Sequence, residues 1–389
     1  MTQARIRPSS VDELIEIIAD AAAGGGKLEI VGGCSKADIG APREAALLDM
    51  SAFAGIVDYD PAELVLTVGA ATPLSEIQAL VAQSGQMLAF DPFDHGPLFG
   101  KPAGAATLGG VIGAGVSGSA RLSRGAARDH LLGFQGVSGR GEAFVGGAKV
   151  VKNVTGYDLP KIMTGSWGRM VALTEVTVKV LPRGRESLTL VLDGLDPIRA
   201  QAAMARAMGS QADVAAAAHL PGPPTLTALR LDGFGPSIAA RRAMLDLTLA
   251  EAGALRALSG GEADALWNSL RTLDPLADSR PLWRINTAPS QANAVIAALE
   301  MLDARWLMDW AGGLIWLTLD GNAAAIRAAA AAAGGHATLV RAPEALRATV
   351  PALHPQSPGV MALESRVRRA FDPAGVFETG RFLDAPDAD

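Results

Sequence analysis

The chain has 389 residues, 49 % of them hydrophobic and 19 % charged, which describes a globular protein and excludes a disordered one. Its 34 basic and 40 acidic side chains give a formal net charge of −6, with no Lys/Arg stripe of the kind that tracks a nucleic acid. The length suits about two domains. One cysteine, Cys34, leaves no intrachain disulfide and fits a reducing cytoplasm.

Near the N-terminus, Arg5, Arg7, Asp12, Glu13, Glu16 and Asp20 interrupt any apolar core, so no secretory signal is expected. Residues 11–22 have the spacing of an amphipathic helix, with Ser9 or Ser10 as its cap and Gly24-Gly25-Gly26 as its stop. Residues 28–31 read as a strand running into Gly32-Gly33-Cys34-Ser35-Lys36. A second strand is expected at 64–68, then a helix over 73–84 with Pro73 at its start and Gly85 past its end. The uncharged run 102–120 has the length of a membrane span, but Gly104, Gly109, Gly110, Gly113, Gly115 and Gly118 would each weaken a helix by about 1 kcal/mol. It is read as a loop and a short helix against a ligand. Residues 130–145, broken by Gly139-Arg140-Gly141, suggest paired strands, and 170–181 a long strand.

Beyond Pro182 the pattern changes to β-α-β-β-α-β. Strands are expected at 187–192, 212–220 and 225–231, with helices at 197–208 and 237–252 and a short apolar stretch after them. The order recurs with strands at 282–286, 305–310, 314–319 and 337–341 and helices at 289–302 and 322–333. Two split βαβ units in tandem would form one larger antiparallel sheet with helices on one face. Residues 260–281 read as the link between them. A helix at 362–370, followed by Asp372-Pro373 and Gly380-Arg381-Phe382, suggests a segment that docks back on the first domain. The fold class is therefore α+β, divided as 1–183, 184–355 and 356–389.

Several short motifs carry the chemistry. Gly32-Gly33 lets successive backbone N–H groups converge on an anion, Ser35 adds a hydroxyl and Lys36 a charge. All seven lysines fall between Lys27 and Lys179, and Lys36 and Lys161 are those most suited to a cofactor. Gly113, Gly115 and Gly118 form a formal G-x-G-x-x-G, but no strand precedes it and no acidic residue follows at the right distance, so a Rossmann site is set aside. Thr107 with Gly109-Gly110 suits backbone lying against a flat ring or a diphosphate. The segment 149–182 adds Tyr157, Asp158, Lys161 and a turn with Gly165, Ser166 and Gly168. None of His95, His130, His219, His336 and His354 falls into a metal-ligand spacing, and no catalytic residue is assigned. His336 and the cap tryptophans Trp306, Trp310 and Trp316 read more readily as strand-end, core or interface residues.

In this order, GGCSKADIG (32–40), ELVLTVGAATPLSEI (63–77), SGQMLAFDP (84–92), TLGG (107–110), RDHLLG (128–133), VVKNVTGYDLPKIMTGSWG (150–168) and FDPAGVFETGRF (371–382) resemble the FAD-linked oxidases of the vanillyl-alcohol oxidase and p-cresol methylhydroxylase (PCMH) type. Within them the resemblance is closest to the FAD-binding E-type subunits of bacterial glycolate oxidases, over essentially the whole chain. It implies a PCMH-type FAD-binding domain plus a cap domain. Gly32, Gly33, Cys34, Ser35 and Lys36 would hold the pyrophosphate. Thr107, Gly109, Gly110, Gly113, Ser117 and Gly118 would lie along the cofactor, and Gly165, Ser166 and Gly168 would wall its nucleotide portion.

The chain departs from the family pattern at Val171, where glycine is frequent, and at Arg124-Gly125, where an aromatic-glycine pair is frequent. Cys34 stands where some relatives carry a flavin-linked histidine, yet the subunit type implies noncovalent FAD. The resemblance further implies a catalytic D-type flavoprotein subunit and an iron–sulfur subunit as partners, glycolate or another small 2-hydroxy acid as substrate, a cytoplasmic place, and a membrane met only through the complex. With a single cysteine, the chain itself has no set of ligands for an iron–sulfur cluster. Two alternatives stay open: a stand-alone FAD-dependent hydroxy-acid or alcohol dehydrogenase, and a scaffold with a vestigial flavin site.

Overall fold

Ser10 begins the first helix, Val11–Gly24, by accepting a hydrogen bond from the Glu13 N–H at 3.2 Å, and the Glu13 carboxylate reaches back to the Ser9 N–H at 2.7 Å. Leu14 and Ile18, one turn apart, are its buried face, and Gly25 closes it in the left-handed conformation at φ 71°. The structure, a computed structural model, describes residues 4–148 and 157–382.

Strands β1 (Arg5–Ile6), β2 (Leu28–Val31) and β3 (Ala46–Asp49) form a small parallel sheet in the order β1-β3-β2. There follow β4 (Ile56–Asp60), β5 (Val65–Gly69), β6 (Gln86–Met87), β7 (Leu131–Ser138), β8 (Ala143–Gly147), β9 (Val171–Lys179) and β10 (Leu181–Pro182). Five of these make an antiparallel sheet, β4-β5-β9-β7-β8, while β6 and β10 pair separately. β9 is buried on both faces. Val176 and Val178 pack with Leu66, Phe134 and Ile77, and Thr177 on the opposite face meets Thr67 hydroxyl to hydroxyl at 2.9 Å. These two sheets are the base of the molecule.

The cap is one eight-stranded antiparallel sheet made from β11 (Glu186–Asp193), β12 (Ala216–Leu220), β13 (Leu226–Gly233), β14 (Arg256–Ala257), β15 (Leu282–Asn286), β16 (Arg305–Asp309), β17 (Leu314–Thr318) and β18 (His336–Arg341). Its order is β14-β11-β13-β12-β16-β17-β15-β18, so each half has the 4-1-3-2 order of a split βαβ unit. The halves meet antiparallel where His219 of β12 faces Met308 of β16. Helices Pro197–Met208, Gly235–Thr248, Ala292–Leu299 and Ala323–Ala332 cover one face, with Met204, Leu245, Val295 and Ile326 packed on Leu190, Leu229, Trp283 and Ile315. The other face looks toward the base.

Residues 260–281, read as a link, contain the helix Gly260–Thr272, opened by a reciprocal Ser259–Glu262 cap. Leu266, Trp267 and Leu270 press it onto the base-facing side of the first cap half, beside Val191, Ala216 and Ala228. Strands β1, β3 and β4 were not foreseen; they are short and carry no clear alternation of burial. The C-terminal helix starts at Pro358 rather than at residue 362, and the chain beyond it returns to the base. There the Leu28 N–H donates to the Val376 carbonyl and the Ala41 N–H to that of Arg381, at 2.9 and 2.8 Å.

Candidate functional site: a glycine-lined cavity in the base

Three loops distant in sequence converge below the cap. The first, residues 32–36, leaves β2 and passes so close to residues 105–107 that a Cβ on Gly33 would land on the Ala105 carbonyl oxygen. The second opens the helix Leu108–Ala114, whose Gly110 N–H donates to Thr107 Oγ1 at 3.2 Å. A Cβ on Gly109 would come within 2.7 Å of the Ala70 carbonyl, so glycine alone permits that approach. The third is the turn at residues 165–168. Its Gly165 and Trp167 N–H groups donate to the Ile112 and Gly113 carbonyls at 3.0 and 2.8 Å, which ties it to the end of the second loop.

Between these loops lies a cavity whose empty space, open mouth included, is about 840 Å³. Gly32, Gly33, Cys34, Ser35, Lys36, Thr107, Gly109, Gly110, Gly113, Ser166 and Gly168 all line it. Ser117, Gly118 and Gly165 do not. The Ser117 hydroxyl accepts from the Ala127 N–H at 3.0 Å, and Gly118 is pressed against Asp91 while its carbonyl accepts from the Trp310 indole N–H at 2.9 Å. Gly165 acts through its N–H to Ile112, behind the wall. The motif residues 149–156 lie outside the described residues, and Lys161 pairs with Asp158 at 2.8 Å on the surface.

Lys36 is buried, and its ammonium makes one hydrogen bond, to the Ser35 hydroxyl at 3.2 Å. Burial pushes its pKa down to about 8, Arg381 adds to the fall and Asp94 opposes it. A nearly neutral-pH ammonium with a single neutral partner suits an incoming anion. Space exists for one: a Cβ on Gly113 would meet nothing within 4 Å, and a Cβ on Gly110 would stand 3.9 Å from the Lys36 Nζ. Cys34, at φ 55°, has its thiol pKa raised by burial and donates toward the Gly32 carbonyl at 3.7 Å; it is not a poised thiolate.

Other lining residues escaped sequence reasoning. Arg381, from the returning C-terminal segment, lies 4.9 Å from the centroid of Trp167, donates to the Ile39 carbonyl at 3.0 Å and to the Lys36 carbonyl, and sits 3.5 Å from Glu29. Burial and then Arg43 bring its pKa down to about 10. The GRF triplet at residues 380–382 was the available signal, but nothing local says that its arginine reaches under β2. Glu29, Met50, Ala70, Ala71, Trp167, Val171 and Leu173 complete the walls, so Val171 contributes a side chain where backbone alone would leave room. Arg124, the other departure from the family pattern, turns instead to the cap and meets Asp232 at 3.2 Å.

Among the described residues, no three His, Cys, Asp or Glu side chains gather as metal ligands, and no helix is long and apolar enough to cross a membrane. His336 opens β18 and has its pKa lowered by burial and by Arg284. Trp310 and Trp316 belong to the layer between cap and base, and Trp306 stacks on His219 at 5.8 Å.

Residues 2–147 match the model of the FAD binding domain family. The chain is 35 % identical over 372 residues to glycolate oxidase subunit GlcE of Escherichia coli K12, covering 95 % of this chain and 96 % of that protein. It is also 35 % identical over 85 residues to glycolate oxidase subunit GlcD of Bacillus subtilis, there covering only 22 % of this chain and 18 % of the other. Among solved structures, p-cresol methylhydroxylase with substrate bound superposes with a TM-score of 0.69 at 12 % identity, over 97 % of this chain and 88 % of that one. At that identity the likeness speaks for the fold, a PCMH-type base with a cap.

Proposed function

The chain belongs to the FAD-linked oxidoreductase family of the glycolate oxidase E subunits, and from that membership we propose that it is the FAD-carrying subunit of a complex that oxidises glycolate to glyoxylate. One observation carries the reading more than any other: the buried Lys36 ammonium, whose one hydrogen bond among the described residues is to the Ser35 hydroxyl, in the wall of a glycine-lined cavity. Residues 1–183 would hold the cofactor, 184–355 would cover it, and 356–389 would return to complete the wall with Arg381. Gly32, Gly33, Ser35 and Lys36 would take the diphosphate, Thr107, Gly109, Gly110 and Gly113 would lie along the cofactor, and Ser166 and Gly168 would bound its nucleotide portion. The protonated thiol of Cys34 supports FAD held without a covalent bond.

When bound, the flavin supplies a two-electron acceptor for the hydride leaving the hydroxyl-bearing carbon. The protein's own residues bind the cofactor, exclude water and carry its charge. A D-type flavoprotein subunit would share the oxidation and an iron–sulfur subunit would take the electrons onward, in the cytoplasm, with the membrane met only through the complex.

The test is the visible spectrum of the purified chain after gel filtration, with and without added FAD. Retained flavin supports the reading, and a chain that binds none under either condition overturns it. Lys36→Glu sets a carboxylate against a diphosphate. At roughly 4 Å and an effective dielectric near 20 that repulsion is about 4 kcal/mol, so flavin content should fall at least tenfold while the chain stays folded. Unchanged flavin content would remove Lys36 from the site. Because the free ammonium titrates at about 8 and an anion holds its proton on, flavin affinity should decline as pH rises above that value.

A further inference from the structure

We propose that this chain carries its own binding site for a small carboxylate, between the guanidinium groups of Arg284 and Arg121 on the base-facing side of the second cap half. The location rests on the reading above, in which the flavin lies in the base beneath this sheet; the chemistry is argued from the residues alone.

Arg284 comes from β15 of the cap, and Arg121 from the short helix Arg121–Arg124 of the base. Both lie against the indole of Trp310, Arg121 at 4.5 Å and Arg284 at 5.2 Å from its centroid. The indole is fixed: its ring N–H donates to the Gly118 carbonyl at 2.9 Å, and its backbone N–H donates to the Asp309 carboxyl at 2.7 Å. Trp310 and Ala311 both hold left-handed backbone, at φ 52° and 53°, a conformation that non-glycine residues keep only when their surroundings impose it. Two cations from two separate parts of the molecule are thus set against one rigid indole.

Neither guanidinium makes a hydrogen bond or an ion pair among the described residues. Arg284 is surrounded by protein yet keeps intermediate accessibility, as a side chain does when it faces an internal space. Its pKa is brought down to about 10 by burial first and by Arg121 second, so the two positive groups lie close enough to oppose each other. Asp309 acts on Arg284, and Asp129 on Arg121, without a hydrogen bond or ion pair among the described residues; the Asp309 carboxyl accepts instead from Ser119 Oγ at 2.7 Å and from the Trp310 N–H. Two residues further along β15, on the same face, Asn286 has a buried side-chain oxygen without a partner, and His336 stands opposite it across the strands.

A buried guanidinium such as Arg284 without a hydrogen-bond partner is costly, and a second, half-buried cation beside it adds to the cost. Their persistence at one spot implies an anion supplied from outside the chain. The planar fork of a guanidinium matches a carboxylate at two points, and the indole gives an apolar surface beside it. The flavin diphosphate is not that anion, since the glycine loops around Lys36 are its cradle. His95 feels both positive centres: burial first, then Lys36 and Arg284, lower its pKa well below the usual range, so its imidazole is neutral.

The experiment is titration calorimetry of the purified chain with acetate, glycolate and inorganic phosphate, with flavin content read on the same sample. Acetate and glycolate should bind saturably. Arg284→Gln and Arg121→Gln should each weaken them at least tenfold, while Arg284→Lys retains part of the affinity and all variants keep the wild-type flavin content. Arg121 sits on an external turn, so its variant remains informative if the Arg284 variant unfolds. Saturable carboxylate binding to a chain that holds no flavin would leave this site standing and defeat the flavin reading instead. No carboxylate binding by flavin-loaded protein, unchanged affinity in both glutamine variants, or phosphate bound more tightly than either carboxylate would overturn the proposal.

Discussion

The two halves of the cap have the same strand order and the same helix-covered back, yet their base-facing sides are built differently. In the first half Arg230 lies over Trp267 at 5.1 Å, 3.4 Å from the Asp232 carboxylate and 4.0 Å from that of Asp91 in the base. Arg271, on the helix that covers this half, secures Asp91 at 3.0 Å, and Arg124 reaches Asp232 from below. In the second half Arg284 lies over Trp310 at a matching 5.2 Å, but among the described residues no acid pairs with it directly. Topology is common to both; charge balance is not. The first half is a clamp that closes cap onto base, and the second is the face left open to a guest.

That contrast breaks most visibly in stability. Arg230→Gln removes the cation shared by Asp232 and Asp91 and leaves each with one arginine, Arg124 and Arg271, in a partly buried network, which should cost about 3 kcal/mol and lower the thermal midpoint by several degrees. Arg284→Gln removes a cation that has no partner, and without ligand it should leave the midpoint unchanged or raise it. Equal destabilisation by both variants would mean that Arg284 is an ordinary structural pair and the two halves are alike.

Asp309 sharpens the same comparison through pH. Burial raises its pKa from 3.8 to about 6, against the pull of its hydrogen bonds from Ser119 and Trp310. Between those two values the unfolded chain ionises while the folded one keeps its proton, so this group's contribution to stability falls as pH rises toward 6 and stays lost above it. Asp309→Asn should therefore gain on the wild type across that window, by roughly 3 kcal/mol, with the gap constant at higher pH. His219, brought down to about 4 chiefly by burial, acts with the opposite sign: its contribution is lost as pH falls from 6.5 toward 4. The wild-type curve alone would thus mislead, and the difference between the two proteins is the measurement. If Asp309 were the counter-ion of Arg284, the asparagine variant would be the less stable protein at neutral pH.

The open face was the part least legible in the sequence. Strand β15 and helix Pro197–Met208 fall at the expected residues because apolar spacing and a proline start signal are local. The loop glycines were legible for a related reason: a backbone that must pass within contact of another chain segment excludes a Cβ, as at Gly33 and Gly109, and leaves a motif behind. An arginine without a partner leaves none. Arg284 stands in a strand of alternating burial like many surface arginines, and only the fold shows that its neighbours are another guanidinium and an indole. Arg381 was hidden in the same way, because a residue 345 positions from Lys36 meets it only through the return of the C-terminal segment. Ser117 and Gly118 show the converse: they belong to the same glycine run as Gly113, yet the end of the short helix at Ala114 turns them away from the cavity and toward the cap.

The smallest expected effect concerns the helix that makes the first half a clamp. Helix Gly260–Thr272 begins with two glycines, which lower its intrinsic propensity, and its start depends on Ser259. The Ser259 hydroxyl accepts from the Glu262 N–H at 3.4 Å, and the Glu262 carboxylate accepts from the Ser259 N–H at 2.8 Å and from its hydroxyl at 2.7 Å. Ser259→Ala removes one side of that exchange and should cost about 1 kcal/mol. Since Trp267 and Arg271 both come from this helix, the loosening should appear as faster hydrogen exchange at residues 260–272 and along β11, where Trp267 donates to Thr189 at 2.9 Å. Exchange along β15 and β18 should change less, because the hydrogen bond from that helix to the sheet is made to β11 in the first half. If the variant loosened both halves equally, the two faces would be one cooperative unit and the distinction between clamp and open face would fail.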